Sequence, residues 1–201
     1  MRGWVKAAMA AALAIAAAPV MAQGFGSASD GEAFLKAVDE GDGNKAIPLL
    51  ENAGSRVVNY RGFKGDTALH IATRKREVSW VGYLLKKGAD PNIGDAQGDT
   101  SLIIASRIGF EEAADYMIQL GANVDAANKR GETALIIAVQ QRWPRMVELL
   151  LEGGANPDKA DHAAGFSARD YAKRDSRNRE LLRLIETVKS TKKKPTGPSL
   201  N

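Results

Sequence analysis

Three landmarks recur in phase along the middle of this chain. Gly65-Asp-Thr-Ala-Leu-His-Ile-Ala72 returns as Gly98-Asp-Thr-Ser-Leu-Ile-Ile-Ala105 and Gly131-Glu-Thr-Ala-Leu-Ile-Ile-Ala138, with a weaker copy in Gly165-Phe-Ser-Ala-Arg-Asp-Tyr-Ala172. The glycines stand 33, 33 and 34 residues apart. Leu84-Leu85, Met117-Ile118, Leu150-Leu151 and Leu184-Ile185 keep the same step, as do Gly88-Ala-Asp90, Gly121-Ala-Asn123 and Gly154-Ala-Asn156. A fixed period of this length means a stack of small units that bury their apolar faces against one another.

Each landmark has a physical task. Thr67, Thr100, Thr133 and Ser167 stand where a first helix begins, and a hydroxyl there accepts from an otherwise unpaired amide of the first turn. Leu69, Leu102 and Leu135 then face the core, with Ala72, Ala105 and Ala138 a turn further on, small enough for neighbouring units to approach closely. A second helix holds the bulkier apolar pairs at helical spacing. Gly88, Gly121 and Gly154 follow its end, where a positive φ closes the helix. The polar stretch before the next unit suits a turn or small hairpin.

The period and the Gly-x-Thr-x-Leu…Gly-Ala-Asp pattern resemble ankyrin repeats over residues 31–188. The resemblance implies an all-α solenoid of about five helix-turn-helix units with short hairpin fingers. Ala68, Ser101 and Ala134 replace the family's usual Pro before the core Leu, and the family's His survives only as His70, with Ile103 and Ile136 elsewhere. The motif's Thr–His hydrogen bond is therefore expected in one repeat alone. Residues 31–64 read as an N-terminal cap unit, 65–97, 98–130 and 131–164 as full repeats, and 165–188 as a closing unit. Ser29 with Glu32 and Ser167 with Asp170 are candidate capping boxes. Pro48 falls inside the second helix of the cap unit.

Both ends differ from the body. Residues 1–22 combine Arg2 and Lys6, an Ala-rich apolar run and Val20-Met21-Ala22, the layout of a secretory signal peptide cleaved after Ala22. A short linker at 23–30 then leads into the array. The chain is expected to be exported, to a bacterial periplasm or beyond, with no membrane span once the signal is removed. The tail, residues 189–201, has four Lys and no acid and is expected to be disordered. Of the 28 basic and 24 acidic residues, these ends hold six basic residues, so the body is slightly acidic and a wholly basic nucleic-acid-binding surface is excluded. Having no Cys, the chain has no disulfide, thiol catalysis or Cys-based zinc site.

Catalytic patterns fail on inspection. Gly41-Asp-Gly43-Asn-Lys-Ala46 matches a loose dinucleotide fingerprint but follows a helix, not a strand. Asp90-Pro-Asn-Ile-Gly-Asp95 is similar to a calcium loop, with Ser101 where a bidentate Glu is required. His70 and His162 are the two histidines, too few for a zinc site. No catalytic residue, cofactor, metal or small-molecule substrate is expected.

The family resemblance implies partner contacts from the finger tips and the exposed side of the first helices. The corresponding residues are Phe63, Lys64, Asp66, Arg74 and Lys75 in the first full unit, Ala96, Gln97, Asp99, Arg107 and Ile108 in the second, and Lys129, Arg130, Glu132, Gln140 and Gln141 in the third. Arg76, Phe110, Arg142 and Trp143 lie in adjoining turns. Basic residues outnumber acids in this set, and Phe63, Phe110 and Trp143 offer apolar anchors. The expectation is a monomeric, non-catalytic module whose concave groove binds a protein partner with an acidic surface, acting as adaptor, inhibitor or protector. The alternative is a binder of an anionic surface (phospholipid, nucleic acid or acidic polysaccharide) through Lys192-Lys-Lys194.

Overall fold

The computed structural model describes residues 28–53, 55–177 and 179–187; the expected leader at 1–22 and the lysine-rich tail at 189–201 lie outside them. The described residues form eleven helices: α1 (Ala28–Glu40), α2 (Gly43–Ala53), α3 (Ser55–Val58), α4 (Ala68–Arg74), α5 (Val78–Lys86), α6 (Ser101–Ile108), α7 (Glu111–Gln119), α8 (Ala134–Gln140), α9 (Pro144–Glu152), α10 (Ala168–Arg174) and α11 (Arg179–Thr187). They pack as antiparallel pairs in two rows. α1, α4, α6, α8 and α10 adjoin in sequence along one row, and α5, α7, α9 and α11 along the other. The result is an all-α solenoid.

The core runs the length of the stack between the rows. Leu69, Leu102, Leu135 and Ala72, Ala105, Ala138 are buried in the first row, and Leu84, Met117, Leu150 and Leu181 in the second. Helices of seven to nine residues are marginal alone, so burial of these faces is what holds them. Gly88, Gly121 and Gly154 have φ of 90°, 94° and 92°, the left-handed geometry expected after the second helix.

The helix starts follow the sequence reading, with one local variation. The His70 Nδ1 accepts from the Thr67 backbone N–H at 3.1 Å and from its hydroxyl at 2.8 Å. Nε2 therefore holds the ring proton and donates to the Asp99 carbonyl at 3.0 Å, so this side chain joins one unit to the next. In the next two units the Thr100 and Thr133 hydroxyl oxygens accept from the amides of Ile103 and Ile136, each at 3.3 Å. Ser167 and Asp170 form the expected capping box. The Ser29–Glu32 box needs correction: both residues lie within α1, so Ser29 is not its N-cap, and the Glu32 carboxylate accepts from the Tyr60 hydroxyl at 3.1 Å.

Between units, the chain forms fingers closed by single bridges: Gly94 with Thr100, Ala127 with Thr133 and Ala160 with Ser167. Asp95, Asn128 and Asp161 tie each finger by accepting two backbone amides on one side-chain oxygen, for instance Gln97 at 2.9 Å and Asp99 at 3.0 Å on Asp95. Adjacent fingers are linked by the Lys129 amide to the Gln97 carbonyl (3.0 Å) and the His162 amide to the Arg130 carbonyl (2.9 Å).

A second ladder runs along the opposite end of the units. Asn59 accepts from the Asp90 amide at 2.8 Å, Asn92 from that of Asn123 at 2.7 Å, and Asp125 from that of Asn156 at 2.8 Å. At the next position of this step, Asp158 accepts from a side chain of the closing unit: Arg169, which replaces the core Leu of the earlier repeats, grips it at 2.6 and 3.3 Å.

Ser101 is an exception to this polar satisfaction. Its hydroxyl is buried with no hydrogen-bond partner, whereas buried Thr73 and Ser106 donate to the carbonyls of Leu69 and Leu102. Ala occupies the equivalent positions 68 and 134. Ser101→Ala is expected to stabilise the fold by about 1 kcal/mol, read as a higher urea midpoint.

Burial depresses the His70 pKa, since protonation would put a charge in the core and convert its Nδ1 acceptor into a donor. The stability it contributes is complete above about pH 6.5, the value of an unfolded histidine, and is lost as pH falls through the lowered folded value. His70→Ile, copying positions 103 and 136, is expected to be less stable at neutral pH but to show a flatter stability profile between about pH 7 and pH 5 in urea titrations.

Candidate functional site

The exposed sides of the first-row helices and the fingers form one face of the solenoid. Phe63 stands at the first finger with its ring fully in solvent, at 102% relative exposure. A large aromatic held out from a core-rich fold is unusual, since burial of such a ring is strongly favourable. Phe63, Lys64, Asp66 and Arg74 separate two open cavities. One, of about 480 Å³, lies toward α1 and adds Leu35, Ile71 and Lys75. The other, of about 500 Å³, lies toward the second finger and adds Ala96 and Gln97. The structure thus brings together all five residues expected from the first unit.

The arginines of this face are engaged with acids of the same face. Arg74 donates to Asp66 at 2.8 Å and to Asp95 at 3.0 Å. Arg107 grips Asp99 through two bonds of 2.6 and 3.1 Å, and Asn128 adds a third at 2.8 Å. Burial pushes the Asp99 carboxyl up, but the bonds from Arg107 and Asn128 outweigh it and hold the acid below its usual range. Arg130 donates to Glu132 at 2.7 and 2.9 Å. Lys75 pairs with Asp39 at the end of α1.

These pairs remove most of the positive excess seen in the sequence. Lys64 and Lys129 are exposed and form no ion pair among the described residues. The sequence carried a signal for the pairing: Asp66 and Asp99 precede Arg74 and Arg107 by eight residues in successive units. Asp95 as a second partner of Arg74 was not foreseen, because it arrives from the next finger.

The turn residues need correction as contacts. Phe110 is 4% exposed and lies under the Arg76 guanidinium, 5.0 Å from its ring centre, so it is no surface anchor. Arg76 also donates to the Ile108 carbonyl at 2.7 Å, and Arg142 binds Asp175 at 2.6 and 3.2 Å. Both arginines have left-handed φ, 59° and 60°, where the middle unit has Gly109. That backbone cost, about 1 kcal/mol each, is offset by contacts to the following unit. Ile108 is half-buried against the core. Trp143 starts α9 before Pro144, as expected, and is 40% exposed; its indole covers Gly109 so closely that a Cβ there would lie 2.9 Å from the ring. Gln140 and Gln141 are exposed, and Gln140 lines a third cavity with Arg142, Tyr171, Arg174 and Arg177, the last three unforeseen.

No group of acids and histidines able to hold a metal occurs among the described residues, and no described helix is long and apolar enough to cross a membrane. Residues 79–161 match a family model described as ankyrin repeats in three copies, and residues 49–105 a second described as ankyrin repeats in many copies. A search of curated proteins gives no match.

Replacing Asp99 removes the partner of Arg107. Asp99→Asn is expected to cost about 1–2 kcal/mol in urea unfolding, the half-exposed guanidinium limiting the loss. Because the Asp99 pKa is lowered by folding, its contribution is complete above about pH 4 and disappears as pH falls through the folded value; the variant lacks this part of the acid profile.

Proposed function

The chain belongs to the ankyrin-repeat family, and from that premise we propose that it is a non-catalytic module that binds a protein partner on its finger-and-first-helix face. The observation that carries the siting is Phe63, fully exposed between two cavities and flanked by charged residues. An aromatic ring beside Arg74 and Lys64 has the composition of an interface centre, with apolar area to bury and polar groups to set orientation. Lys129 and Arg130 extend the surface to the third finger, and Trp143 to its far end. The paired Arg74, Arg107 and Arg130 act as fixed polar frames rather than as loose cations. Attraction to an acidic partner therefore rests chiefly on Lys64 and Lys129.

Ordered repeats support this reading because they present a preformed surface, so little ordering entropy is lost on binding. The module is proposed to work outside the cytoplasm as an adaptor, inhibitor or protector, after cleavage behind Ala22. The competing reading places binding in the lysine-rich tail on an anionic surface.

Cross-linking the protein in its own cells and purifying it from the exported fraction tests both. A mature chain beginning at Gln23 is expected by mass spectrometry. Phe63→Ala combined with Lys64→Glu is expected to lower partner recovery about tenfold or more, while deletion of residues 189–201 leaves it intact. The opposite pattern would transfer the function to the tail.

A further inference from the structure

A cavity of about 390 Å³ lies between the C-terminal ends of α8 and α10 and the turn leading into α11. Its lining includes three arginines, Arg142, Arg174 and Arg177, and one carboxylate, Asp175. That carboxylate is already occupied. Its Oδ2 accepts from Arg142 Nε at 2.6 Å, and its Oδ1 from Arg142 Nη2 and the Arg177 backbone N–H, each at 3.2 Å. Arg142 and Asp175 thus cancel, leaving two positive charges beside the cavity.

Arg174 and Arg177 differ from the arginines elsewhere on this face. Neither guanidinium meets a carboxylate or carbonyl among the described residues. Arg174 lies over the Phe166 ring in a cation–π contact, its Cζ 4.1 Å from the ring centre, and Phe166 is braced edge-on by Tyr171 at 5.7 Å. The contact anchors the guanidinium, and none of its N–H donors reaches an oxygen acceptor among the described residues. Arg177 is exposed. A positioned guanidinium with unspent donors, a second one lining the same cleft and a neutralised acid between them suit a ligand with two or more acceptor oxygens.

We infer that this cleft is a binding site for an oxyanion, a carboxylate or phosphate group held by Arg174 and Arg177. It does not rest on the partner-binding reading and shares none of the first-finger residues, although Gln140 and Arg142 of that face also line it.

The test is a titration of the full chain with inorganic phosphate at constant ionic strength, followed by amide NMR shifts. Saturating shifts are expected around residues 140–142 and 171–177. Arg174→Gln with Arg177→Gln is expected to weaken binding by about tenfold or more. Arg183→Gln, which removes one positive charge from the exposed side of α11 and so matches Arg177→Gln alone, should leave it unchanged. Arg177→Gln alone, whose side chain supports no packing, keeps the test valid should loss of the Arg174–Phe166 contact disturb the fold. A parallel titration with triglutamate distinguishes the sources: tighter binding than phosphate assigns the cleft to an acidic protein segment, and phosphate binding alone assigns it to a free anion. Absent shifts, shifts spread over Lys64, Lys129 and other exposed cations alike, or equal weakening by Arg183→Gln would overturn the inference.

Discussion

No helix pair in this chain can bury its own apolar side. Each full repeat buries a core Leu and, a turn on, a small Ala from its first helix and bulkier side chains from its second, and the space they enclose is completed by the neighbouring unit. Small Ala72, Ala105 and Ala138 let the first row close up, while Leu84, Met117 and Leu150 fill the gap behind. Stability is therefore shared along the stack, and the ends become the difficult places. The closing unit answers with polar contacts: Ser167 with Asp170 at the helix start, Arg169 on Asp158, and Asp175 under Arg142.

Apolar burial supplies the bulk of the driving force but little register, since smooth apolar faces slide. Register comes from hydrogen bonds that cross between units: His70 to the Asp99 carbonyl, Asn59, Asn92 and Asp125 to amides one unit on, and finger to finger through Lys129 and His162. Apart from the Asp99 carbonyl, which also accepts from the Asp95 amide, each satisfies a backbone group of the neighbouring unit, which makes a shifted arrangement costly. The binding face inherits this rigidity. Its acids and arginines are mostly committed to one another, so what remains for a partner is a small set of groups: Phe63, Lys64, Lys129 and part of Trp143.

Local signals in the chain were enough for the skeleton. The 33-residue step located the helix pairs, Thr and Ser marked their starts, and Gly88, Gly121 and Gly154 marked their ends, because capping and left-handed turns depend on residues three or four apart. The first-finger cluster came from the family resemblance, and it held together because Phe63, Lys64, Asp66, Arg74 and Lys75 lie within 13 residues of one another. Only the tertiary structure decided which charges are available. Arg74 meets Asp95 from the next finger, Arg76 covers Phe110, and Arg142 reaches Asp175, each partner brought close by stacking. A side chain's direction across a unit boundary depends on how closely the neighbours pack, and residue spacing along one unit does not encode that distance.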